Sequence, residues 1–308
     1  MTWLEGLERK LREELPELEL RKNEPMSRHT SFKVGGPATL MALPKMEGEA
    51  QEVLRVAHGL GITPFILGNG TNLLVSDAGY EGFIVKPCLT RLEPDGEEGI
   101  LVGSGVLLSR LANFALELGL TGLEFAHGIP GTVGGAVYMN AGAYDGEMCQ
   151  VVVSTTYLEP DGTVGVARGE EHAFAYRHSA FDRGSRLILR SRLALKRGDP
   201  AAIKARMDDL AAQRKAKQPL EYPSAGSTFK RPPAVSGQPV YAAALIDQCG
   251  CKGLTVGGAQ VSEKHAGFII NKGGATCADI LALVEEVKRR VYDQTGIALE
   301  LEVKTLGV

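Results

Sequence analysis

Two glycine-rich segments are the first places where this sequence suggests chemistry. The first, ILGNGTNLLVSD at 66–77, sets glycines among asparagine and threonine residues between two apolar runs. Glycines at this spacing let backbone N–H groups converge on a diphosphate, and the polar side chains add donors. A hairpin with a glycine-containing turn explains the same pattern equally well by the rules for turn residues. The spacing is neither GxGxxG before a helix nor GxxxxGK[ST], so it supports no Rossmann or P-loop site.

The second segment, GLEFAHGIPGTVGGAVYMNAGAYDGE at 122–147, is richer in glycine and carries little charge. Such a composition implies close approach of the backbone to a flat or phosphorylated group, although a tight core turn needs glycine too. Two such clusters in one predicted sheet domain favour a large nucleotide cofactor over a tight core turn. His127 is a candidate ligand or flavin attachment point, but we interpret it as a hydrogen-bonding structural residue.

Three polar side chains elsewhere are of types suited to catalysis. Arg177, in the run YRHS, carries a guanidinium fork that can fix a carboxylate or phosphate by two parallel bonds. Ser227 stands in a glycine-preceded turn flanked by Lys217 and Lys230, but no GxSxG elbow or neighbouring base marks it as a nucleophile. Spacing alone therefore predicts that Arg177 is solvated and that the Ser227 hydroxyl bonds within its own turn. For the third residue, Glu302, it predicts a surface charge.

The hydrophobic pattern predicts the elements that must position these residues. Leucines at 4, 7, 11 and 15 predict an amphipathic helix, and short apolar runs between glycine-rich turns from residue 34 onward predict a sheet with a helix over 107–118. A charged, alanine-rich helix over 201–217 follows the turn RGDP at 197–200, which predicts a domain boundary.

In the last third of the chain, the spacing of apolar residues changes from a helical period to a strand period. Apolar residues at 280, 284, 287 and 291 predict a helix that opens at the capping-box pattern Thr276-x-x-Asp279 and ends at Gly296. Apolar and polar residues then alternate over 297–304, which predicts a half-buried strand with both of its glutamates on the polar face.

Composition excludes several classes of protein. The 308 residues carry 34 Lys and Arg against 37 Asp and Glu, so no broad positive field exists to bind nucleic acid. This length predicts two or three domains. Five cysteines without a CxxC pair indicate reduced thiols in a cytoplasmic protein and no metal site. Glycine and proline interrupt the longest uncharged stretch, 128–144, and the charged N-terminal segment lacks a targeting pattern, so membrane insertion is not expected.

Seven motifs, taken together and in order, carry a resemblance to one family. They are RHTSFKVGGPA at 28–38, ILGNGTNLLVSD at 66–77, GIPGTVGGAVYMNAGAY at 128–144, YRHSAF at 176–181, SAGSTFKRP at 224–232, GGAQVSEKHAGFIIN at 257–271 and LEVKTLG at 301–307. The set closely resembles the UDP-N-acetylenolpyruvoylglucosamine reductase (MurB) family and covers the chain from residue 28 to near its end.

The resemblance implies an α+β fold: an FAD-binding domain of the vanillyl-alcohol-oxidase (PCMH) type and a smaller α/β substrate-binding domain. We expect an N-terminal helix and lead-in at 1–33, the FAD domain at 34–197, and the substrate domain with a catalytic C-terminal strand at 198–308. The implied enzyme is a cytoplasmic oxidoreductase that uses non-covalent FAD and NADPH. It reduces the enolpyruvyl group of a UDP-sugar to give UDP-N-acetylmuramate for the peptidoglycan cell wall, and thus serves cell shape and division.

Functional positions carry over motif by motif. The residues that resemble the FAD site are Gly68, Asn69, Gly70, Thr71, Asn72, Gly128, Ile129, Pro130, Gly131, Gly134, Gly135, Asn140, Ala141 and Gly142. Those that match the family's catalytic positions are Arg177, Ser227 and Glu302. For these three, the resemblance implies catalytic roles where spacing alone predicts structural or surface ones. Tyr176, Lys217, Lys264 and His265 match substrate contacts, with Lys217 at the diphosphate.

The sequence departs from the longer branch of the family in two places. After YRHSAF it passes directly to SRLILRSRLALK without the insertion that supplies a tyrosine lid over uridine, and Arg231 replaces the asparagine of FKNP. Both features resemble the shorter, second type of the enzyme. Two rival functions remain open at this point: a flavin oxidase of another small substrate on the same FAD domain, and a non-catalytic binder of flavin or of a nucleotide sugar.

Overall fold

The computed structural model describes residues 3–182, 185–234 and 237–308, in two compact units. The first unit comprises Met1–Lys22, Leu40–Asn69 and Gly82–Gln213, and the second comprises Asn23–Thr39, Gly70–Glu81 and Arg214–Val308. The second unit thus contains two early segments, 23–39 and 70–81, which the sequence assigns to the lead-in and the FAD domain. The domain bounds near 33 and 197 stay predictions.

The helices are α1 (Trp3–Glu14), α2 (Glu47–Gly59), α3 (Leu108–Glu117), α4 (Val133–Tyr138), α5 (Pro200–Lys217), α6 (Ala242–Gln248) and α7 (Cys277–Thr295). The strands are β1 (Leu20–Pro25), β2 (Pro37–Ala42), β3 (Phe65–Ile66), β4 (Leu73–Val75), β5 (Tyr80–Val85), β6 (Leu92–Pro94), β7 (Gly99–Gly103), β8 (Leu120–Thr121), β9 (Gly142–Ala143), β10 (Gly146–Glu147), β11 (Val152–Leu158), β12 (Val164–Arg168), β13 (Leu187–Ala194), β14 (Lys196–Arg197), β15 (Thr255–Val256), β16 (Ala259–Val261), β17 (Ile269–Asn271) and β18 (Lys304–Leu306).

The first unit is built around an antiparallel sheet of order β12-β11-β13-β7-β6. Helices α3 and α4 bury their apolar faces in the core beside it, where Leu111, Val137 and Leu193 are fully buried. A second core lies between α1, α2 and a sheet of order β1-β2-β5-β3, and it includes Leu7 and Phe83. The leucine stripe predicted for α1 therefore serves packing.

The second unit has a core of its own. Helices α6 and α7 pack with the antiparallel sheet β15-β16-β17, and Ile246, Val284 and Ile269 are buried there. Strand β18 pairs in parallel with β4. The predicted capping box opens α7: Thr276 Oγ1 accepts from the N–H of Asp279 at 3.0 Å, and the Asp279 carboxylate accepts from the N–H of Thr276 at 3.0 Å.

The predicted strand over 297–304 is wrong in its extent. Strand β18 begins only at Lys304, and the preceding residues form a single bridge, Phe229 to Leu301. The partner segment, 224–230, is itself irregular because Gly226 takes a left-handed φ of +77°, so a regular ladder does not form. The alternation in burial holds only in part, because Glu300 is exposed whereas Glu302 is half-buried.

Candidate functional site

The two glycine-rich loops meet in the first unit. Gly68 follows β3, and a Cβ atom built on it would lie 3.1 Å from Thr132 Oγ1 and 3.8 Å from the Cα of Gly135. Gly68 of the first loop thus lies against the second loop at the start of α4. A side chain at Gly68 would require the Thr132 hydroxyl to shift by a few tenths of an ångström, so glycine suits this close contact between the loops.

The second loop is held closely along its length. The N–H of Leu108 donates to Gly131 O at 2.9 Å, the N–H of Val133 donates to Val106 O at 2.8 Å, and the N–H of Gly134 donates to Ser104 O at 2.9 Å. A Cβ on Gly134 would lie only 2.8 Å from the Cβ of Ser104, so this position accepts no side chain without displacement.

Two buried polar atoms beside this loop have no hydrogen-bond partner within the described part of the chain: Ser104 Oγ, next to Gly134, and His127 Nδ1, just before Gly128. Buried side-chain polar atoms nearly always have a partner. Two such atoms along one glycine loop fit a polar ligand such as the diphosphate and ribityl groups of FAD. The glycine contacts and these two atoms together show that the residues present suit that cofactor.

The rest of the first loop belongs to the second unit. Gly70 has a φ of +63°, and a Cβ there would lie 1.9 Å from His29 O, so only glycine fits. Its carbonyl accepts from the N–H of Ser31 at 3.0 Å. The loop from 68 to 72, which the sequence treats as one cofactor segment, is thus divided between two environments, with Gly70, Thr71 and Asn72 in the second.

Asn140 is engaged within its own segment. Its side-chain Nδ2 donates to Glu147 Oε2 at 3.0 Å and to Ala175 O at 3.1 Å, and its Oδ1 accepts from the N–H of Cys149 at 2.9 Å. Both amide hydrogens are used, so Asn140 joins the β9–β10 hairpin to the turn at 175. Any cofactor contact here would come from the backbone of Asn140, Ala141 or Gly142.

Arg177 lies at the tip of a tight turn in the first unit. The N–H and C=O groups of Ala175 and His178 exchange two hydrogen bonds of 3.1 Å, and Arg177 has a left-handed φ of +54°. Its Nη2 donates to Gly142 O at 3.3 Å, and its guanidinium carbon lies 5.0 Å from the ring centre of Tyr176. The turn presents an arginine together with a half-exposed tyrosine ring, a pair suited to an anionic group.

The backbone segments that carry Ser227 and Glu302 are joined in the second unit through Thr228. The N–H of Glu302 donates to Thr228 O at 2.8 Å, and the N–H of Thr228 donates to Gly267 O at 2.8 Å. Thr228 is buried, and its hydroxyl accepts from the N–H of Ile269 at 3.1 Å. This residue, which sequence reasoning missed, fixes the segment that carries Ser227 between β17 and the segment that carries Glu302.

The two glutamates of the C-terminal segment have different surroundings. The Glu300 carboxylate lies 2.9 Å from Lys230 Nζ, and this hydrogen bond and charge hold the pKa of Glu300 below its ordinary value. On the other side of Leu301, the backbone carbonyl of Glu302 accepts from Asn72 Nδ2 at 3.2 Å. The symmetry between Glu300 and Glu302 that alternation predicts is therefore absent.

The predicted substrate lysines lie near the end of α5. Lys217 is the last residue of the helix and is exposed. Lys264 Nζ donates to Lys215 O at 2.7 Å and lies 3.9 Å from a Glu221 carboxylate oxygen. The adjacent Gln218 has a buried Oε1 with no partner among the described residues, a feature no sequence signal marks.

His265 is half-buried beside the same segment. Its Nδ1 accepts from the N–H of Gly267 at 3.2 Å, and burial lowers the pKa of its imidazole. Both features favour the neutral ring with its hydrogen on Nε2. In the described ranges, no group of three or more His, Cys, Asp or Glu side chains could hold a metal ion, and no helix is long and apolar enough to span a membrane.

Comparison with known proteins identifies both parts of the chain. Residues 38–167 match the family model for an FAD binding domain, and residues 218–306 match that for the UDP-N-acetylenolpyruvoylglucosamine reductase C-terminal domain. Together with the glycine loops, these matches define a flavoprotein with a separate C-terminal domain.

The relatives identify the family. UDP-N-acetylenolpyruvoylglucosamine reductase of Caldanaerobacter subterraneus subsp. tengcongensis is 47% identical over 97% of this chain and 97% of its own. That of Clostridium novyi is 47% identical over 98% of this chain and 96% of its own. The crystal structure of the Thermus caldophilus enzyme matches with a TM-score of 0.79 at 36% identity, over 94% of this chain and 99% of that one. The chain belongs to the UDP-N-acetylenolpyruvoylglucosamine reductase family, which confirms the fold class and family expected from its motifs.

Proposed function

We propose that this protein reduces the enolpyruvyl group of UDP-N-acetylglucosamine enolpyruvate to give UDP-N-acetylmuramate, with FAD as cofactor and NADPH as reductant. The observation that carries this function is the 47% identity to a reductase of that name over 97% of both chains. The product feeds peptidoglycan synthesis. We also propose a cytoplasmic location, in keeping with the five free thiols.

FAD, when bound, supplies the carrier that passes a hydride from NADPH to C3 of the substrate. We assign its binding in the first unit to Gly68, Asn69 and the loop 128–135, where close packing leaves no room for a side chain at Gly134 and little at Gly68. The unpartnered atoms of Ser104 and His127 are the polar groups on this loop that a bound cofactor would satisfy.

Arg177 would bind the carboxylate of the enolpyruvyl group. Negative charge builds on that carboxylate as C3 is reduced, and a fixed guanidinium stabilises it more in the transition state than in the ground state. The closed turn from Ala175 to His178 and the bond to Gly142 O limit the positions the guanidinium can take. Preorganisation of this kind is what electrostatic catalysis requires.

Ser227 would donate the proton to C2, because a hydroxyl at the right place can protonate a carbanion-like carbon despite its weak acidity. Its exposed position in a segment fixed through Thr228 suits this role. Glu302 in its protonated form would donate a hydrogen bond to the same developing charge. Lys217 would bind the diphosphate, with Lys264, Tyr176 and neutral His265 as further substrate contacts.

Anaerobic mixing tests the proposal against its two rivals. NADPH should bleach the flavin of the purified protein, and the enolpyruvyl UDP-sugar should then restore the oxidised spectrum. An oxidase of another substrate would be reoxidised by oxygen while it ignored the sugar nucleotide, and a binding protein would be bleached by neither addition. Either of these results would overturn the proposed reaction.

A further inference from the structure

The hydrogen bonds of Asn72 lead away from the glycine loop that contains it. Its side-chain Nδ2 donates to the backbone carbonyl of Glu302 at 3.2 Å, and its own carbonyl accepts from the N–H of Lys304 at 3.1 Å. Asn72 thus binds the backbone both at Glu302 and two residues later. All of these groups lie in the second unit.

The parallel pairing of β18 with β4 explains why a side chain is used here. The ladder pairs Lys304 with Leu73 and continues to Leu306, but it does not extend back to Glu302. A backbone carbonyl at the end of a ladder needs another donor when it is shielded from water. The amide of Asn72 supplies that donor and extends the hydrogen-bonding pattern by one position.

The other side of Glu302 is held as well. Its N–H donates to Thr228 O, next to Ser227, at 2.8 Å. The backbone of Glu302 is therefore bonded on one side to the segment of Ser227 and on the other to Asn72. Without the Asn72 amide, Glu302 would keep the hydrogen bond to Thr228 O and lose the one to Asn72.

We propose that Asn72 is a positioning residue for Glu302, through which it affects protonation of the substrate without contacting the reacting atoms. This inference rests on the proposed function, because it gives Glu302 a task in the second half-reaction. It also moves Asn72 from the cofactor loop, where motif resemblance puts it, to the support of a catalytic carboxyl group. A carboxyl group that must meet a developing charge loses effect when its backbone is free to shift.

The kinetic test is a double-mutant cycle on the FAD-loaded enzyme with Asn72→Ala and Glu302→Gln. We expect Asn72→Ala to slow reoxidation of reduced enzyme by the enolpyruvyl UDP-sugar roughly tenfold, the size of about one net hydrogen bond. Reduction by NADPH and the FAD content should stay within about twofold of wild type. In the Glu302→Gln background, Asn72→Ala should add less than about twofold, because both changes remove the same action.

A structural measurement accompanies the kinetics. Hydrogen exchange over 300–304 should be faster in Asn72→Ala, while exchange over β16 stays unchanged. Asn72→Asp, which keeps the shape but replaces the donor with an acceptor, is the second variant and should give the same pattern. The matched control is Gln260→Glu, because Gln260 Nε2 also donates to a backbone carbonyl of the second unit, that of Gly253 at 3.4 Å.

Three results would overturn the inference. Loss of FAD, or an equal loss in both half-reactions, would return Asn72 to the cofactor loop. Additive effects in the double variant would show that Asn72 does not act through Glu302, and unchanged exchange over 300–304 would show that it does not hold that backbone. If wild-type reduced enzyme is not reoxidised by the UDP-sugar, the proposed function fails instead, and the exchange measurement still tests the contact.

Discussion

At the scale of single residues, Ser227 has the most specific of the roles proposed above. Replacing Ser227 with Ala should leave reduction of the flavin by NADPH nearly unchanged and slow its reoxidation by the enolpyruvyl substrate. Removal of one proton donor typically costs 10²–10⁴-fold. Stopped-flow absorbance of the flavin measures the two steps separately. A loss of the same size in both steps would point to a folding or cofactor defect and contradict the assignment.

Glu302 and Glu300 form a matched pair for a second test at this scale. Glu302→Gln should retain FAD and substrate but lose most of the reoxidation rate. Glu300→Gln removes only an exposed ion pair with Lys230 and should remain close to wild type, within about 0.5 kcal/mol in stability. Reoxidation of prereduced samples of both variants, measured side by side, decides the matter. Equal behaviour of the two would refute the role given to Glu302.

At the scale of elements, the start of α7 offers a test of how the second unit is held. The Asp77 carboxylate, in the turn after β4, accepts from the N–H groups of Cys277 and Ala278 at 2.7 and 3.0 Å. A carboxylate at a helix N-terminus satisfies two otherwise unpaired donors and interacts favourably with the helix dipole. We expect Asp77→Ala to lower the free energy of unfolding by about 1–2 kcal/mol.

Urea titration followed by circular dichroism measures this change. The control is Asp247→Asn, because Asp247 forms only an exposed ion pair with Lys252 and should change stability by less than about 0.5 kcal/mol. A loss as small in Asp77→Ala as in the control would show that the carboxylate contributes nothing to the helix start.

The elements also show how far sequence reasoning reaches. Strong helical periods predict α1, α3 and α7 within a residue or a few, because each buries one stripe against a core, and the charged, alanine-rich composition predicts α5. The short α6 has no comparable stripe and was not predicted. The glycine loops were found because their composition is unusual. The sequence does not predict the hydrogen bond between Asn72 and Glu302. These residues are 230 positions apart, and an amide that binds a backbone carbonyl leaves no pattern in the sequence.

At the scale of the whole molecule, stability should depend on pH through His172. This fully buried ring has Nδ1 3.1 Å from Gly169 O and Nε2 3.0 Å from Thr155 Oγ1, and burial lowers the pKa of His172 from 6.5. The unfolded chain therefore binds a proton at His172 more readily than the folded chain does. The contribution of neutral His172 to the free energy of unfolding is complete above pH 6.5 and falls as the pH drops toward the folded pKa, by at most about 1.4 kcal/mol per pH unit.

Unfolding by urea at several pH values between 5 and 7.5 tests this dependence. His172→Gln should show a shallower fall in stability below pH 6.5 than wild type, and the same change at the exposed His58 serves as the comparison variant. Parallel slopes in wild type and His172→Gln would rule out His172 as the source.

The holoenzyme itself carries a further prediction. We propose non-covalent FAD, so acid precipitation should leave a colourless pellet and release all of the flavin into the supernatant, as absorbance at the flavin maximum reports. Flavin that stays with the precipitated chain would contradict this and make His127 or a cysteine the first candidate for attachment.

The division of the chain between its two units bears on synthesis. The chain crosses from one unit to the other after residues 22, 39, 69, 81 and 213. Phe32, Val34 and Leu74 belong to the core of the second unit, and β4 pairs with β18, close to the C-terminus. As the polypeptide leaves the ribosome, the apolar side chains of these early segments therefore have no complete core until residues 214–308 have been translated. The slower the translation of these residues, the longer the early apolar segments stay exposed to chaperones, proteases and other nascent chains.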